Sequence, residues 1–256
     1  MGRWVLVVVL SGCGSVLGLD EVYQCPPNDD DCDKLLDNVD PCPADPNDVS
    51  DGDGDGVGDA CDPNVETPGD TIARFDGFGV RDLGWTVFSG DAQWSWRDSL
   101  LAQDDVATGA IELPIDVIYQ PTVEVFMNPD FEGDGSIIGV YVLATTGSGA
   151  NIPLECRIVH YETHDDLIMI LRTRDDAPLI TMPAPSLPGK RTDGLRIYGG
   201  QLPDGTVRCR ARYGDADSLY VDLKGWVTPR AMMDRVGLRT VSSRAEFRSV
   251  VVYAVP

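Results

Sequence analysis

Hydrophobic and polar positions alternate in short runs along the last two thirds of the chain, and glycine, proline or aspartate separates the runs. In one run Val123, Val125 and Met127 alternate with Glu124 and Phe126. A period of two places successive side chains on opposite faces of a β-strand, so the pattern is typical of a half-buried sheet. It predicts strands at residues 84–89, 93–97, 100–103, 109–112, 122–128, 137–145, 154–162, 167–173, 194–198, 206–213, 219–223, 236–240 and 246–255.

Turn residues such as Asp204-Gly205 lie between these runs, as hairpins require. Many short strands joined by turns predict an all-β sandwich over residues 71–256. The opening FDGF (75–78) and WSWR (94–97), with the closing VGLRT (236–240) and AEFRSVVV (245–252), resemble the first and last strands of concanavalin A-like, laminin G-like jelly rolls. The resemblance implies that the two ends of this domain pair in one sheet. It implies no single function, because lectins, hydrolases and adhesion modules share the fold.

Negative charge is concentrated before the sandwich. The chain carries a formal charge of −22, and residues 13–70 hold 17 acidic residues and one lysine, a net charge of −16. This field would repel phosphates, so the balance argues against nucleic-acid binding. The acidic segment cannot bury a core, and its order therefore requires metal or disulfides. Its scattered apolar side chains include Leu35, Leu36, Val39, Val49, Val57 and Val65.

The run DGDGDGVGDACD (51–62) places acidic side chains at positions 1, 3, 5, 9 and 12 of a twelve-residue loop, with glycine at position 6. This is the ligand spacing of a calcium-binding loop, in which position 7 contributes a backbone carbonyl. Position 12 is aspartate here, one methylene shorter than the usual glutamate. The predicted calcium ligands are Asp51, Asp53, Asp55, the carbonyl of Val57, Asp59 and Asp62.

The residues around this loop extend the pattern, since DNVDPCP (37–43) and ND (47–48) precede it and CDP (61–63) closes it. Together they resemble a thrombospondin type 3 repeat. The resemblance implies that residues 25–63 form an extended, calcium-stapled linker, after a tether at 13–24 and before a short connection at 64–70. The stretch NDDDCD (28–33) resembles the tail of a preceding repeat without its glycines, so a second site stays open. A flexible acidic linker without metal is the alternative.

The amino terminus has the pattern of a secretory signal: Arg3, an apolar run at residues 4–10, and small residues before Cys13. The run is too short to span a bilayer as a helix. LSGC (10–13) resembles the lipobox of bacterial lipoproteins. The resemblance implies a signal peptide at residues 1–12, an acylated Cys13 as membrane anchor, and export to the cell envelope, with Gly14 compatible with the outer membrane. A hydrophobic terminus with a chance cysteine is the alternative.

Six cysteines remain once Cys13 is set aside, and an even number in an exported chain suggests disulfides. The sequence contains no C-x-x-C spacing, the pattern that would indicate a zinc site. Fifteen pairings of six cysteines are possible. The sequential pairing is preferred: Cys25–Cys32, Cys42–Cys61 and Cys156–Cys209.

Two patterns bear on catalysis and on a second metal. The E-x-D-x-x-E pattern of family 16 glycoside hydrolases, which share the jelly-roll fold, does not occur, and neither does G-x-S-x-G, so we expect no enzyme. His160, Glu162 and His164 alternate and would share one strand face, where they could hold a transition metal. The preferred interpretation is an exposed turn in which both histidines are solvated.

Trp94 and Trp96 lie on one face of their predicted strand. Exposed indoles stack on sugars and buried ones fill a core; alternation favours the core, although one of the two can still line a groove. These features predict a surface lipoprotein whose sandwich binds carbohydrate or a cell-surface polymer without catalysis. The alternatives are a structural or protein-adhesion component of the envelope and, third, a polysaccharide hydrolase.

Overall fold

The computed structural model describes residues 25–26, 28–46, 50–79, 84–97, 99–145, 151–163, 165–172, 177–184, 194–202, 204–214, 219–224 and 232–255. Strands make up its regular structure, and none of the described residues is helical. The strands are β1 (Thr71–Asp76), β2 (Thr86–Gly90), β3 (Trp94–Arg97), β4 (Leu100–Gln103), β5 (Gly109–Tyr119), β6 (Pro121–Phe131), β7 (Ser136–Thr145), β8 (Asn151–His160), β9 (Asp166–Arg172), β10 (Ala177–Ala184), β11 (Leu195–Gln201), β12 (Val207–Tyr213), β13 (Leu219–Leu223), β14 (Met232–Val241) and β15 (Ser243–Ala254).

Two antiparallel sheets pack face to face as a jelly-roll sandwich, which confirms the predicted fold class. The first sheet has the order β13-β12-β11-β6-β15-β4-β3, with β1 also paired to β15, and the second has the order β10-β9-β8-β7-β14-β5-β2. In the first sheet Thr71 lies opposite Ala254 and Asp76 opposite Val250. The two ends of the domain therefore pair in one sheet, as the resemblance implies.

The core lies between the sheets and follows the alternation of the sequence. Val123, Val125 and Met127 of β6 are fully buried, and they belong to one cluster with Ile138 of β7 and Ile158 of β8. Apolar side chains from both sheets thus bury one continuous surface, the main source of stability for a sandwich.

The cysteines are paired in the sequential order that the sequence favours. Two bridges lie within the acidic segment, and the third joins β8 of the second sheet to β12 of the first. The bridges are Cys25–Cys32, Cys42–Cys61 and Cys156–Cys209.

Two strands that contain proline differ from the prediction. β10 carries Pro178 and Pro183 and is tolerated because it is the edge strand beside β9. β5 was expected to end at residue 112 and continues through Pro114 to Tyr119. β2 pairs only with residues 109–112 of β5, so beyond residue 112 one side of β5 has no neighbouring strand. On that side Pro114 therefore needs no N–H group to donate.

The acidic segment lies against the outer face of the first sheet, a placement that the extended-linker resemblance does not imply. Cys42, Val57 and Cys61 pack on Val251 and Tyr253 of β15. The outward face of β15 is therefore buried by the segment. The cluster is small, so disulfide and polar contacts must supply much of the segment's order.

A second contact holds the start of the acidic segment. A Cβ built on Gly77 would lie 1.0 Å from Oδ2 of Asp30, so a side chain at residue 77 would require the Asp30 carboxyl group to move. Burial and neighbouring carboxylates raise the pKa of Asp30 to about 7.

Among the described residues no helix is long and apolar enough to cross a membrane.

Candidate metal centre and ligand cleft

The loop at residues 51–62 is organised around Asp51. Its Oδ1 accepts hydrogen bonds from the backbone N–H of Gly54 (2.7 Å) and Asp55 (3.2 Å), and its Oδ2 accepts one from Gly56 (2.9 Å). Gly56 has a φ of 98°, a left-handed conformation that suits the sharp turn at position 6. The turn brings one carboxylate oxygen each of Asp51, Asp53 and Asp55 within 4.8 Å of one another. These three predicted ligands are thus assembled by local structure.

The later ligand positions are placed differently. Asp59 accepts hydrogen bonds from Ser50 Oγ (2.8 Å) and Gly52 N–H (2.7 Å), so it ties the end of the loop to its beginning. Asp62 is buried and its Oδ2 has no hydrogen-bond partner among the described residues. Val57 at position 7 is buried against β15 by its side chain. The loop is therefore seated on the sandwich through its seventh position.

Burial makes two carboxyl groups at this loop unusual. Burial, with Asp55 and Asp53 nearby, raises the pKa of Asp62. The pKa of Asp70, which the sequence analysis did not single out, is raised to about 7 by burial and by the Asp62 and Asp55 carboxylates. Buried carboxylates without donors favour the binding of a cation.

A second acidic cluster lies near the start of the segment. One oxygen each of Asp29, Asp31 and Asp33 lies within 4.8 Å of the others. Oδ1 of Asp29, Oδ2 of Asp31 and Oδ2 of Asp40 have no hydrogen-bond partner among the described residues, and Asp29 and Asp40 are buried. Both acidic clusters could therefore bind a metal ion. The sequence spacing indicated the first of them and left the second open, because this one lacks the glycines of the motif.

A cleft opens between the edge strands β2 and β3, where the two sheets end on the same side of the sandwich. Its volume is about 380 Å³. Trp94 and Trp96 of β3 are half-buried, with their inner parts packed on the core, and the ring of Trp94 lies 5.9 Å from that of Phe247. Both indoles lie on the same face of β3, as predicted, and each is partly buried in the core and partly exposed in the cleft. The other lining residues are Trp85, Val87, Gly90, Asp91, Ala92, Gln93 and Ile111.

Within this cleft the tryptophans have different surroundings. Trp85 is buried, and its Nε1–H donates to Asp76 Oδ2 at 2.7 Å, which assigns it a structural role. The Nε1–H of Trp94 has no hydrogen-bond acceptor among the described residues. The polar rim consists of Asp91 and Gln93, whose Nε2–H donates to the Asp91 carbonyl at 3.1 Å. The cleft thus combines indole surfaces with exposed hydrogen-bonding groups.

The expected solvation of both histidines is wrong for His160. This side chain is buried, its Nδ1 lies 3.0 Å from Asp166 Oδ1, and its ring stacks on Phe131 at 4.8 Å between centroids. β8 ends at His160, so Glu162 lies beyond the strand and is exposed. His164 lies outside the described residues. Neither acidic cluster that could hold a metal includes His160.

The second sheet carries ion pairs that the sequence analysis missed. Glu155 pairs with Arg157 (2.9 Å) and Arg239 (3.4 Å), and Glu112 pairs with Arg235 (3.3 Å). The register places Glu112 and Glu155 three strands apart, about 14 Å between Cα atoms. Each of these two carboxylates therefore has at least one arginine partner.

No family model matches the chain, and no curated protein matches it. Solved structures share its fold at very low identity. A legume lectin-like domain from Entamoeba histolytica is 11% identical, with a TM-score of 0.51 over 68% of this chain and 91% of that one. The potassium-bound carbohydrate recognition domain of Emp46p is 10% identical, with a TM-score of 0.50 over 71% and 96%. A β-glucanase from Bacillus licheniformis is 9% identical, with a TM-score of 0.50 over 73% and 99%. At such identities the likeness establishes a lectin-like jelly-roll fold and no activity.

Proposed function

We propose that this protein is a surface lipoprotein whose jelly-roll domain binds carbohydrate or a cell-surface polymer in the cleft at Trp94 and Trp96, without catalysis. The observation that carries this proposal is the cleft itself, a 380 Å³ opening lined by indoles and rimmed by Asp91 and Gln93. Its volume falls in the range of about 300–1,000 Å³ that is usual for ligand pockets. The lectin and carbohydrate-recognition domains among the similar folds support the same ligand class.

The chemistry of the cleft suits a sugar ring. The apolar face of a pyranose stacks on an indole, while its hydroxyl groups need donors and acceptors at the rim. Asp91 offers a carboxylate and Gln93 offers an amide. Export by the signal at residues 1–12 and acylation of Cys13, which lie outside the described residues, would place the domain at the cell envelope.

Replacement of Trp96 by alanine is expected to weaken polysaccharide binding at least tenfold, because it removes one indole surface of the cleft. The measurement is affinity electrophoresis of the full chain against a panel of polysaccharides, followed by titration with the oligosaccharide of the retarding polymer. The matched control is Tyr220→Ala, which removes a more exposed aromatic ring from β13 at the far edge of the same sheet. Thermal melting checks that both variants are folded at the assay temperature.

Three results of that panel contradict the proposal in different ways. Equal retardation of both variants and the wild type would move binding away from the cleft. Release of reducing ends from any polymer would indicate hydrolysis. Free migration on every polymer would favour protein adhesion. A separate observation supports that alternative: Val87 and Phe88 of the edge strand β2 are both more than half exposed.

We also propose that the loop at residues 51–62 binds calcium and that the ion helps to hold the acidic segment on the sandwich. The residues fit the ion, since Asp51, Asp53 and Asp55 converge and Asp62 keeps an orphaned buried oxygen. Oxygen donors of this kind suit a hard divalent cation. Calcium affinities of extracellular modules are commonly about 10⁻⁴ to 10⁻³ M, which suits a structural role outside the cell.

Chelation of calcium is expected to increase the radius of gyration of the full chain, because the carboxylates of the loop then repel one another. At calcium concentrations one hundred times the dissociation constant, binding should stabilise the fold by about 2.7 kcal/mol. Solution scattering and melting, with and without chelator, measure both effects. The control is the double substitution Asp51→Asn with Asp53→Asn, which should abolish the response. Identical scattering curves for the wild type would refute this part of the proposal.

A further inference from the structure

Asp70 lies outside the calcium-loop motif and immediately before β1. The residue is 0% exposed, and neither of its carboxylate oxygens has a hydrogen-bond partner among the described residues. Its polar neighbours are the carboxyl group of Asp62 and the side chain of Asn64. An ionised carboxylate in such a position has a large desolvation penalty unless a cation compensates it.

The backbone around Asp70 is folded back onto the calcium loop. The N–H groups of Gly69 and Asp70 both donate to Oδ2 of Asp55, at 2.9 and 2.7 Å. Asp55 is position 5 of the loop, so these bonds hold Asp70 beside the predicted ligands. Asp62, at position 12, adjoins Asp70 and has Asp53 and Asp55 as charged neighbours. Asp62 and Asp70, which lie at the two ends of the connection, are therefore close together.

Three buried carboxylate oxygens lack a donor there. They are Oδ2 of Asp62 and both oxygens of Asp70. Such an arrangement of acceptors without donors is unfavourable unless a positive charge lies among them.

The arginines near Asp62 have contacts with other residues. Arg208 and Arg210 line a hollow together with Asp62. Arg208 forms a two-bonded pair with Asp222 (2.8 Å for each bond). Arg210 lies over the ring of Tyr198 at 4.3 Å. Within the described residues, none of the ion pairs involves Asp53, Asp62 or Asp70.

We infer that Asp70 is a calcium ligand supplied from outside the loop motif, acting with Asp62. The ion then connects the acidic segment directly to the first strand of the sandwich. This inference rests on the proposed binding of calcium by the loop. It adds a consequence: calcium binding stabilises the pairing of β1 with β15, because Thr71, the first residue of β1, follows Asp70 without a break.

The test is titration of the full chain with calcium alone, by calorimetry and by melting, for the wild type and for Asp70→Asn. The substitution keeps the shape of the side chain and removes its charge. We expect the calcium affinity to fall at least tenfold and the calcium-induced rise in melting temperature to shrink. Without calcium the variant should melt at the same temperature as the wild type or higher, because an uncompensated buried charge is gone. The matched control is Glu66→Gln, which removes an equal charge from an exposed residue of the same connection.

The outcomes separate this inference from the proposal beneath it. Absence of calcium binding by the wild type would remove both. Calcium binding by the wild type with equal affinity in Asp70→Asn would overturn the inference alone, as would a variant that is destabilised equally with and without calcium. Amide exchange of the wild type gives a check that needs no variant: calcium should slow exchange in β1 more than in β4, and equal effects on both strands would contradict the coupling.

Discussion

Replacement of Arg196 by methionine is expected to lower the free energy of unfolding by about 3–5 kcal/mol, because it leaves a buried carboxylate without its charge partner. The Arg196 side chain on β11 is 10% exposed, and its Nη1 lies 2.5 Å from Oε1 of Glu124, which is 1% exposed. Its Nη2–H donates to the carbonyl of Ala44 in the acidic segment at 2.6 Å. After the substitution, the Glu124 side chain would still accept a hydrogen bond from the hydroxyl of Tyr253, at 3.2 Å.

The matched control is Arg97→Met. Arg97 also contacts two carboxylates, Asp104 at 2.7 Å and Glu246 at 3.6 Å, but its side chain is 47% exposed. Exposed pairs contribute about 0–1 kcal/mol, so this control should change little. Adding Glu124→Gln to Arg196→Met should restore part of the loss, since the buried charge disappears. Urea unfolding with disulfides intact measures all four proteins, and equal effects of Arg196→Met and Arg97→Met would contradict the assigned role.

Removal of the Cys156–Cys209 bridge by the double substitution to alanine is expected to lower the free energy of unfolding by about 4 kcal/mol. The bridge closes a sequence separation of 53 residues, and the chain-entropy model assigns this magnitude to a loop of that length. It also joins β8 and β12, which belong to different sheets and share no hydrogen-bonded ladder. Its loss therefore removes the disulfide cross-link between the two layers of the sandwich.

The control for the bridge is the pair Cys25 and Cys32, which are separated by only 7 residues. The same model assigns about 2 kcal/mol to that shorter loop, and its removal should leave the sandwich intact. Thermal and urea unfolding of both double variants, beside the wild type, give the comparison. A smaller loss from the Cys156–Cys209 pair than from Cys25–Cys32 would contradict the expectation.

The sequence predicts well those strands in which apolar and polar residues alternate and the apolar face packs on the core. β4 and β13 have the predicted bounds, and β6 buries the predicted Val123, Val125 and Met127. β1 was missed because its outward and inward positions do not alternate clearly: Ile72 and Phe75 are only partly buried and pack with the acidic segment. β10 was missed because prolines argue against a strand except at an edge, and edge position is a tertiary property.

Glu124 illustrates a different limit of sequence reasoning. Alternation places it on the outer face of β6, where solvent is the default environment. It is buried because the acidic segment covers that face, with Arg196 between them. Nothing in the local pattern of either segment indicates this contact, since its partners lie far apart in the chain. His160 is similar: a strand-end histidine looked solvated, and Asp166 together with Phe131 encloses it.

The all-β class, the alternating core and the spacing of the carboxylates at Asp51, Asp53 and Asp55 can be predicted from the sequence. These properties depend on residues close together in the chain, where a period of two or a twelve-residue loop specifies the geometry. Three features depend on the tertiary structure: the acidic segment docks on β15, Trp94 and Trp96 line an edge cleft, and Asp70 lies beside Asp62. Those contacts join residues that are far apart in the chain, so no periodic pattern in the sequence indicates them. They form because burial, charge pairing and chain connectivity must be satisfied together.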